Sequence, residues 1–168
     1  VAASISKLGE RDPYVFQSQA GDKVRIRMSE GGFLEPTLAL FEAGGGLEIA
    51  SSSTSGDTIL DVTLESGGPF LFFAGDDIGD ETGDYAVTLQ RLNPPTGSIE
   101  LVYGQILNAT LDTVSAMDPY RFQGAAGDVV RIRMSEGGFL EPRIELFDDQ
   151  GRLISAMLAC GDRLGGST

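Results

Sequence analysis

Histidine is absent from these 168 residues, and cysteine occurs once, as Cys160. Without histidine, the Ser-His and Cys-His nucleophile schemes and the usual zinc ligand sets cannot be assembled. A single thiol closes no intrachain disulfide, so cysteine pairing says nothing about redox compartment, and Cys160 reads as an incidental or buried thiol. Lysine is confined to Lys7 and Lys23, and 12 basic residues stand against 25 acidic ones, a net charge of −13. That balance repels phosphate backbones and anionic bilayers, which excludes nucleic acid as a partner, and it favours solubility and cation binding. No apolar run approaches the roughly 18 residues of a membrane span, so membrane insertion is not expected. No apolar stripe of helical period persists either. The chain opens on Val1 rather than methionine, as a processed protein or an excised fragment would.

What is present is repetition. VRIRMSEGGFLEP occupies Val24 to Pro36 and returns letter for letter from Val130 to Pro142, an offset of 130 − 24 = 106. The match extends outward: Asp12-Pro13-Tyr14 recurs as Asp118-Pro119-Tyr120, and Leu40-Phe41 as Leu146-Phe147. The chain is a duplication. It divides into a first unit at 1–93, a stiff Pro/Gly linker at 94–98 and a second unit at 99–168. By offset, Thr168 corresponds to Val62, so the second unit lacks counterparts of everything beyond it and is expected to be an incomplete copy.

Within each unit the period is two. Tyr14 and Phe16 share one face of a strand and Val15 takes the other. Val24, Ile26 and Met28 alternate with Arg25 and Arg27, placing the arginines on a wet face. Ser29 to Pro36 breaks the alternation and reads as a connection, and Leu38 and Leu40 resume the inward face. The Ser51 to Ser55 run reads as loop by composition. Leu60, Val62 and Leu64 form another half-buried strand, and Pro69 to Ala74, apolar on both faces, a central one. Tyr85, Val87 and Leu89 mark the closing strand of the first unit, and Ile99, Leu101 and Tyr103 the opening strand of the second. Many short alternating strands with Gly-rich turns predict an all-β chain, an antiparallel sandwich of jelly-roll or Greek-key type, in two tandem units.

Four elements carry a resemblance: Asp12-Pro13-Tyr14-Val15-Phe16, Ala20-Gly21-Asp22-Lys23-Val24-Arg25-Ile26, Pro36-Thr37-Leu38-Ala39-Leu40-Phe41, and Thr82-Gly83-Asp84-Tyr85-Ala86-Val87. Together they resemble the bacterial pre-peptidase C-terminal domain family, and the second unit repeats the first three. The resemblance implies a secreted β-sandwich accessory module of extracellular proteases or surface proteins, without catalysis of its own. Some relatives bind calcium or substrate, but neither property attaches to the residues matched here.

The strongest chemical signal is Asp76-Asp77-Ile78-Gly79-Asp80-Glu81-Thr82-Gly83-Asp84, five carboxylates in nine residues. Calcium takes six to eight oxygens, and a Gly-containing loop can fold carboxylates around one, so Asp76, Asp77, Asp80, Glu81 and Asp84 are the candidate calcium ligands. Their spacing is not that of an EF-hand, and the bland alternative is a solvated turn whose charges discourage edge pairing. Glu30 and Glu35 could act as an acid–base pair, but they recur as Glu136 and Glu141, which points to a turn copied with its fold. Arg25, Arg27, Arg131 and Arg133 form either a wet face or a guanidinium row for a carboxylate partner. Asn108-Ala109-Thr110 fits the glycosylation pattern, as chance triplets often do.

Two functions follow as expectations. One is a non-catalytic extracellular or cell-surface structural protein that self-associates through open sheet edges, as a filament subunit does by strand complementation. The other is an accessory module, calcium-dependent, that binds an extracellular polymer or protein for a larger secreted enzyme. No enzyme activity is expected.

Overall fold

The computed structural model of the chain describes residues 1–44, 46–114, 116–135 and 140–158, so Cys160 and Glu136 lie outside the described residues. The chain forms two compact units, Val1–Phe122 and Gln123–Thr168.

The first unit contains eight antiparallel strands in two four-stranded sheets. One sheet orders β1 (Ala2–Ile5), β8 (Gly83–Arg91), β3 (Lys23–Glu30) and β6 (Thr58–Thr63). The other orders β2 (Arg11–Ser18), β7 (Gly68–Asp76), β4 (Pro36–Glu42) and β5 (Glu48–Ser53). Strands that follow one another in the chain lie in opposite sheets at most steps, the eight-stranded jelly roll of two Greek keys. The alternation in the sequence decides which residues meet between the sheets. Ile26, Met28, Leu38, Leu40 and Ala74 are fully buried there, joined by Phe70, Phe72, Tyr85 and Val87. Each of the large aliphatic and phenylalanine side chains among them contributes about 1.5–3 kcal/mol by leaving water. Cross-strand aromatics reinforce the β2–β7 register: Tyr14 stacks on Phe72 with centroids 5.1 Å apart, and Phe16 on Phe70 at 5.6 Å. β7 is central, as its two apolar faces predict, and its outer face is used too, Phe73 meeting Phe41 edge-on at 5.9 Å.

Several expectations are corrected. Arg25 does not point to solvent; it is 5% exposed. On its own sheet face it is flanked by Asp61 and Gln90, and the pairing with Asp61 lets a charge lie under cover. The connection after β3 begins at Gly31 rather than Ser29, because Ser29 and Glu30 still pair with Ala86 and Tyr85. Ser51 to Ser53 are not loop: they pair with β4 as part of the edge strand β5, where one ladder suffices and an apolar side chain is not needed. β1 leaves little mark in the sequence pattern. It is four residues long with one large apolar side chain, Ile5, which is 1% exposed.

The Asn93–Gly97 segment is anchored to the sandwich. Asn93 Oδ1 accepts the Lys23 amide at 2.5 Å, its amide nitrogen donates to the Gly21 carbonyl at 2.8 Å, and the Asn93–Pro94 bond is cis. Beyond it, only Ile99–Glu100 (β9) of the expected Ile99-to-Tyr103 strand is paired, in parallel with Tyr120–Arg121 (β10).

In the second unit, Arg143–Phe147 (β11) and Leu153–Leu158 (β12) form an antiparallel hairpin with a bulge at Leu146/Phe147. It matches the β4–β5 hairpin, whose bulge falls at the equivalent Leu40/Phe41. The turn before the repeated motif is copied as well. Asp22 Oδ2 accepts the Gln19 amide and Asp128 Oδ2 the Ala125 amide, each at 2.9 Å, with Gly21 and Gly127 at φ +86° and +92°. The expected strand at Val130, Ile132 and Met134 is not formed; residues 129–135 carry no ladder. The three side chains are 37%, 41% and 38% exposed, against 3%, 0% and 0% for Val24, Ile26 and Met28.

Candidate functional site

The acidic stretch begins at the end of β7 and closes at the start of β8. Asp76, the last residue of β7, is buried, and its two oxygens are engaged by backbone. Oδ1 accepts the Glu35 amide at 2.9 Å; Oδ2 accepts the amides of Gly79 at 2.9 Å and Asp80 at 3.1 Å. The Asp77 amide donates to the Glu35 carbonyl at 2.8 Å, and the Gly31 amide to the Asp84 carbonyl at 2.9 Å. Two connections that are remote in sequence, 31–35 and 77–82, are thereby laced together. Gly79 supports this at φ +76°, a conformation that side chains resist.

The other acids of the stretch are arranged differently. Asp77, Asp80 and Asp84 are exposed, and Glu81 is half-buried. Burial pushes the Glu81 carboxyl above its ordinary range, and Asp76, Asp80, Glu35 and Glu30 push it further. Its Oε2 is shielded from water and has no hydrogen-bond partner among the described residues. Among the described residues no three acidic side chains converge as a coordination set, so Asp76, Asp77, Asp80, Glu81 and Asp84 neighbour one another without surrounding one point. Glu30 and Glu35 do not act as a pair either: Glu30 Oε2 caps the Gly32 amide at 2.5 Å, and Glu35 is exposed. In the other copy, Glu141 is likewise exposed.

No protein-family model matches this chain, and no curated protein does. Among solved structures it is similar to the pre-peptidase C-terminal domain of a collagenase from Bacillus anthracis. That likeness has 14% identity and a TM-score of 0.44, over 54% of this chain and 88% of that one. It is also similar to PliG of Aeromonas hydrophila, a periplasmic inhibitor of g-type lysozyme, at 17% identity and TM-score 0.42, over 54% of this chain and 83% of that one.

A polar group that residue types alone do not reveal links the two sheets. Tyr85 on β8 donates to Asp12 Oδ2 on β2 at 2.6 Å, and its oxygen lies 2.7 Å from that of Tyr14. Because the Tyr85 proton goes to Asp12, Tyr14 is the donor in the second bond. Asp12-x-Tyr14 and Gly83-x-Tyr85 are therefore two halves of one inter-sheet clamp. Burial, then the bonds to Asp12 and Tyr14, push the Tyr85 phenol well above its ordinary value. A raised folded value means that this stabilisation is complete below about pH 10 and drains away as pH rises past it. Tyr85→Phe is expected to cost about 1 kcal/mol near neutrality and to flatten the alkaline loss of stability, as read by urea melts from pH 7 to 11. An unchanged alkaline limb would assign that loss to other groups.

The arginine row is divided. Arg25 pairs with Asp61 through two bonds of 2.7 Å, and Arg27 with Asp57. Arg131 and Arg133 make no ion pair among the described residues. Ile132, Arg133, Met134, Pro142, Ile144 and Met157 line an open apolar groove of about 80 Å³ in the second unit.

Proposed function

We propose that this chain is a non-catalytic, extracellular or cell-surface β-sandwich repeat protein whose structural role depends on association through strand edges. One observation carries the reading: in one copy of the repeated sequence Val24, Ile26 and Met28 are sealed into a sandwich, while in the other Val130, Ile132 and Met134 face water. Unpaired strand sequence with an apolar face recruits further strands. The two repeats, 1–93 and 99–168 about the 94–98 linker, would then play different parts, the first a closed building block and the second an acceptor. The extracellular placement rests on the motif resemblance, and the lack of catalysis on the missing histidine and on a thiol without a base.

A second reading is favoured by the unpartnered Glu81 Oε2 amid like charges, a burden that a bound cation would relieve. On that reading the chain is a calcium-dependent accessory module for an extracellular polymer or protein ligand.

One experiment separates the two. Light scattering after size exclusion is expected to show oligomers at micromolar concentration, equally in calcium and in EDTA. A monodisperse monomer would remove the assembly reading. A monomer whose thermal transition rises with calcium would install the second reading in its place.

A further inference from the structure

The first unit shows what the sequence VRIRM needs on each side. β8 borders one edge of β3, and β6 borders the other, where it supplies both apolar cover and charge. Leu60 and Val62 lie opposite Ile26 and Val24 on the core face. On the reverse face, Asp61 is directly opposite Arg25 and holds it with bonds from Nε to Oδ1 and from Nη2 to Oδ2, both 2.7 Å. Asp57 reaches Arg27 from the diagonal position, since Ile59 is the residue opposite. A segment with Leu60 and Val62 on one face and Asp57 and Asp61 on the other thus satisfies this sequence on both faces at once.

Val130–Met134 presents the same five residues without such a partner among the described residues. Its apolar side chains are exposed, its arginines make no ion pair among the described residues, and the apolar groove of about 80 Å³ includes Ile132 and Met134. Pairing with its own copy is disfavoured, because antiparallel alignment of two such segments sets arginine against arginine.

We infer that Val130–Met134 is a strand-acceptor site for an extended acidic segment with the alternation of Asp57–Leu64, carboxylates spaced to meet Arg131 and Arg133 and apolar side chains between them. This rests on the reading of the chain as one that associates through strand edges, and it names the edge and the chemistry of what binds there. Main-chain hydrogen bonds supply the ladder, while the guanidinium–carboxylate pairs set its register.

The test uses the full chain and a fluorescent peptide with the sequence of Asp57–Leu64, followed by anisotropy. Saturable binding is expected. Asp57→Asn with Asp61→Asn in the peptide, or Arg131→Glu with Arg133→Glu in the chain, should each weaken it roughly tenfold. Ile132→Lys should abolish it, and the unchanged thermal transition of the first unit will show that the variants are folded. Absence of binding, or binding indifferent to these charges, overturns the site. Light scattering on the same samples keeps the two proposals apart. Binding by a chain that remains monomeric upholds the acceptor site and removes self-assembly. Oligomers that persist with Arg131→Glu and Arg133→Glu and in excess peptide place assembly at another edge, and the site then stands or falls on the charge dependence of peptide binding alone.

Discussion

Ile26→Ala is expected to destabilise the protein by about 3–4 kcal/mol, whereas Ile132→Ala, the same substitution in the same thirteen-residue sequence, should cost less than about 0.5 kcal/mol. Ile26 is 0% exposed and Ile132 41%. Truncating Ile26 removes three carbons from the closed core and leaves a cavity walled by neighbours in both sheets, so the transfer loss and the cavity loss add. Truncating Ile132 removes a side chain that water already reaches. For a unit of this size the first change lowers the melting temperature by roughly 10–20 °C and the second by a degree or two. Calorimetry on the two variants decides the matter. Equal shifts would mean that the second copy is closed in solution as the first is, and would undercut both the assembly reading and the acceptor site.

Asp76→Ala should cost about 3 kcal/mol, for a reason unrelated to metal. The carboxylate accepts three backbone amides, from Glu35, Gly79 and Asp80, in a setting that admits little water. Removing it leaves three donors short of partners at the place where two connections are held together, and charge-assisted bonds of this kind are worth about twice neutral ones. Asp76→Asn keeps one carbonyl acceptor and should lose about half as much. The loss is expected to be the same in EDTA as in millimolar calcium, measured by urea melts of both variants. A loss confined to calcium would make Asp76 a ligand, as the density of carboxylates around it in the sequence suggests.

The candidate site was legible in the sequence only as a density of charge. Nothing in Asp76 to Asp84 itself indicates that the amide bonded to Asp76 Oδ1 belongs to Glu35, 41 positions earlier. The inter-sheet clamp shows the same limit in milder form. Asp12, Tyr14 and Tyr85 stand in short motifs that the resemblance singled out, yet their joint purpose needs β2 and β8 to lie in opposite sheets with their side chains meeting between them. Arg25 was misread because alternation reports which face a side chain takes, not whether that face is covered. β5 was missed in part because an edge strand draws its stability from the backbone of β4 and leaves little mark on composition.

The VRIRMSEGGFLEP repeat separates the two kinds of information. Its alternation, the Ala-Gly-Asp turn before it and the bulged hairpin after it depend on interactions within a few residues of the chain. They come out alike where both copies show them: the carboxylate-capped turn and the bulge recur at equivalent places. Sequence alone thus determined the period-two strands, the antiparallel β-sandwich class, the duplication and the turns that each copy closes locally. Whether Val, Ile and Met of that repeat lie in a core was decided only by tertiary structure. A strand is stabilised by ladders and cover from elements distant in the chain, here β6 and β8, and the identical segment Val130–Met134, with no ladder among the described residues, stays open to water.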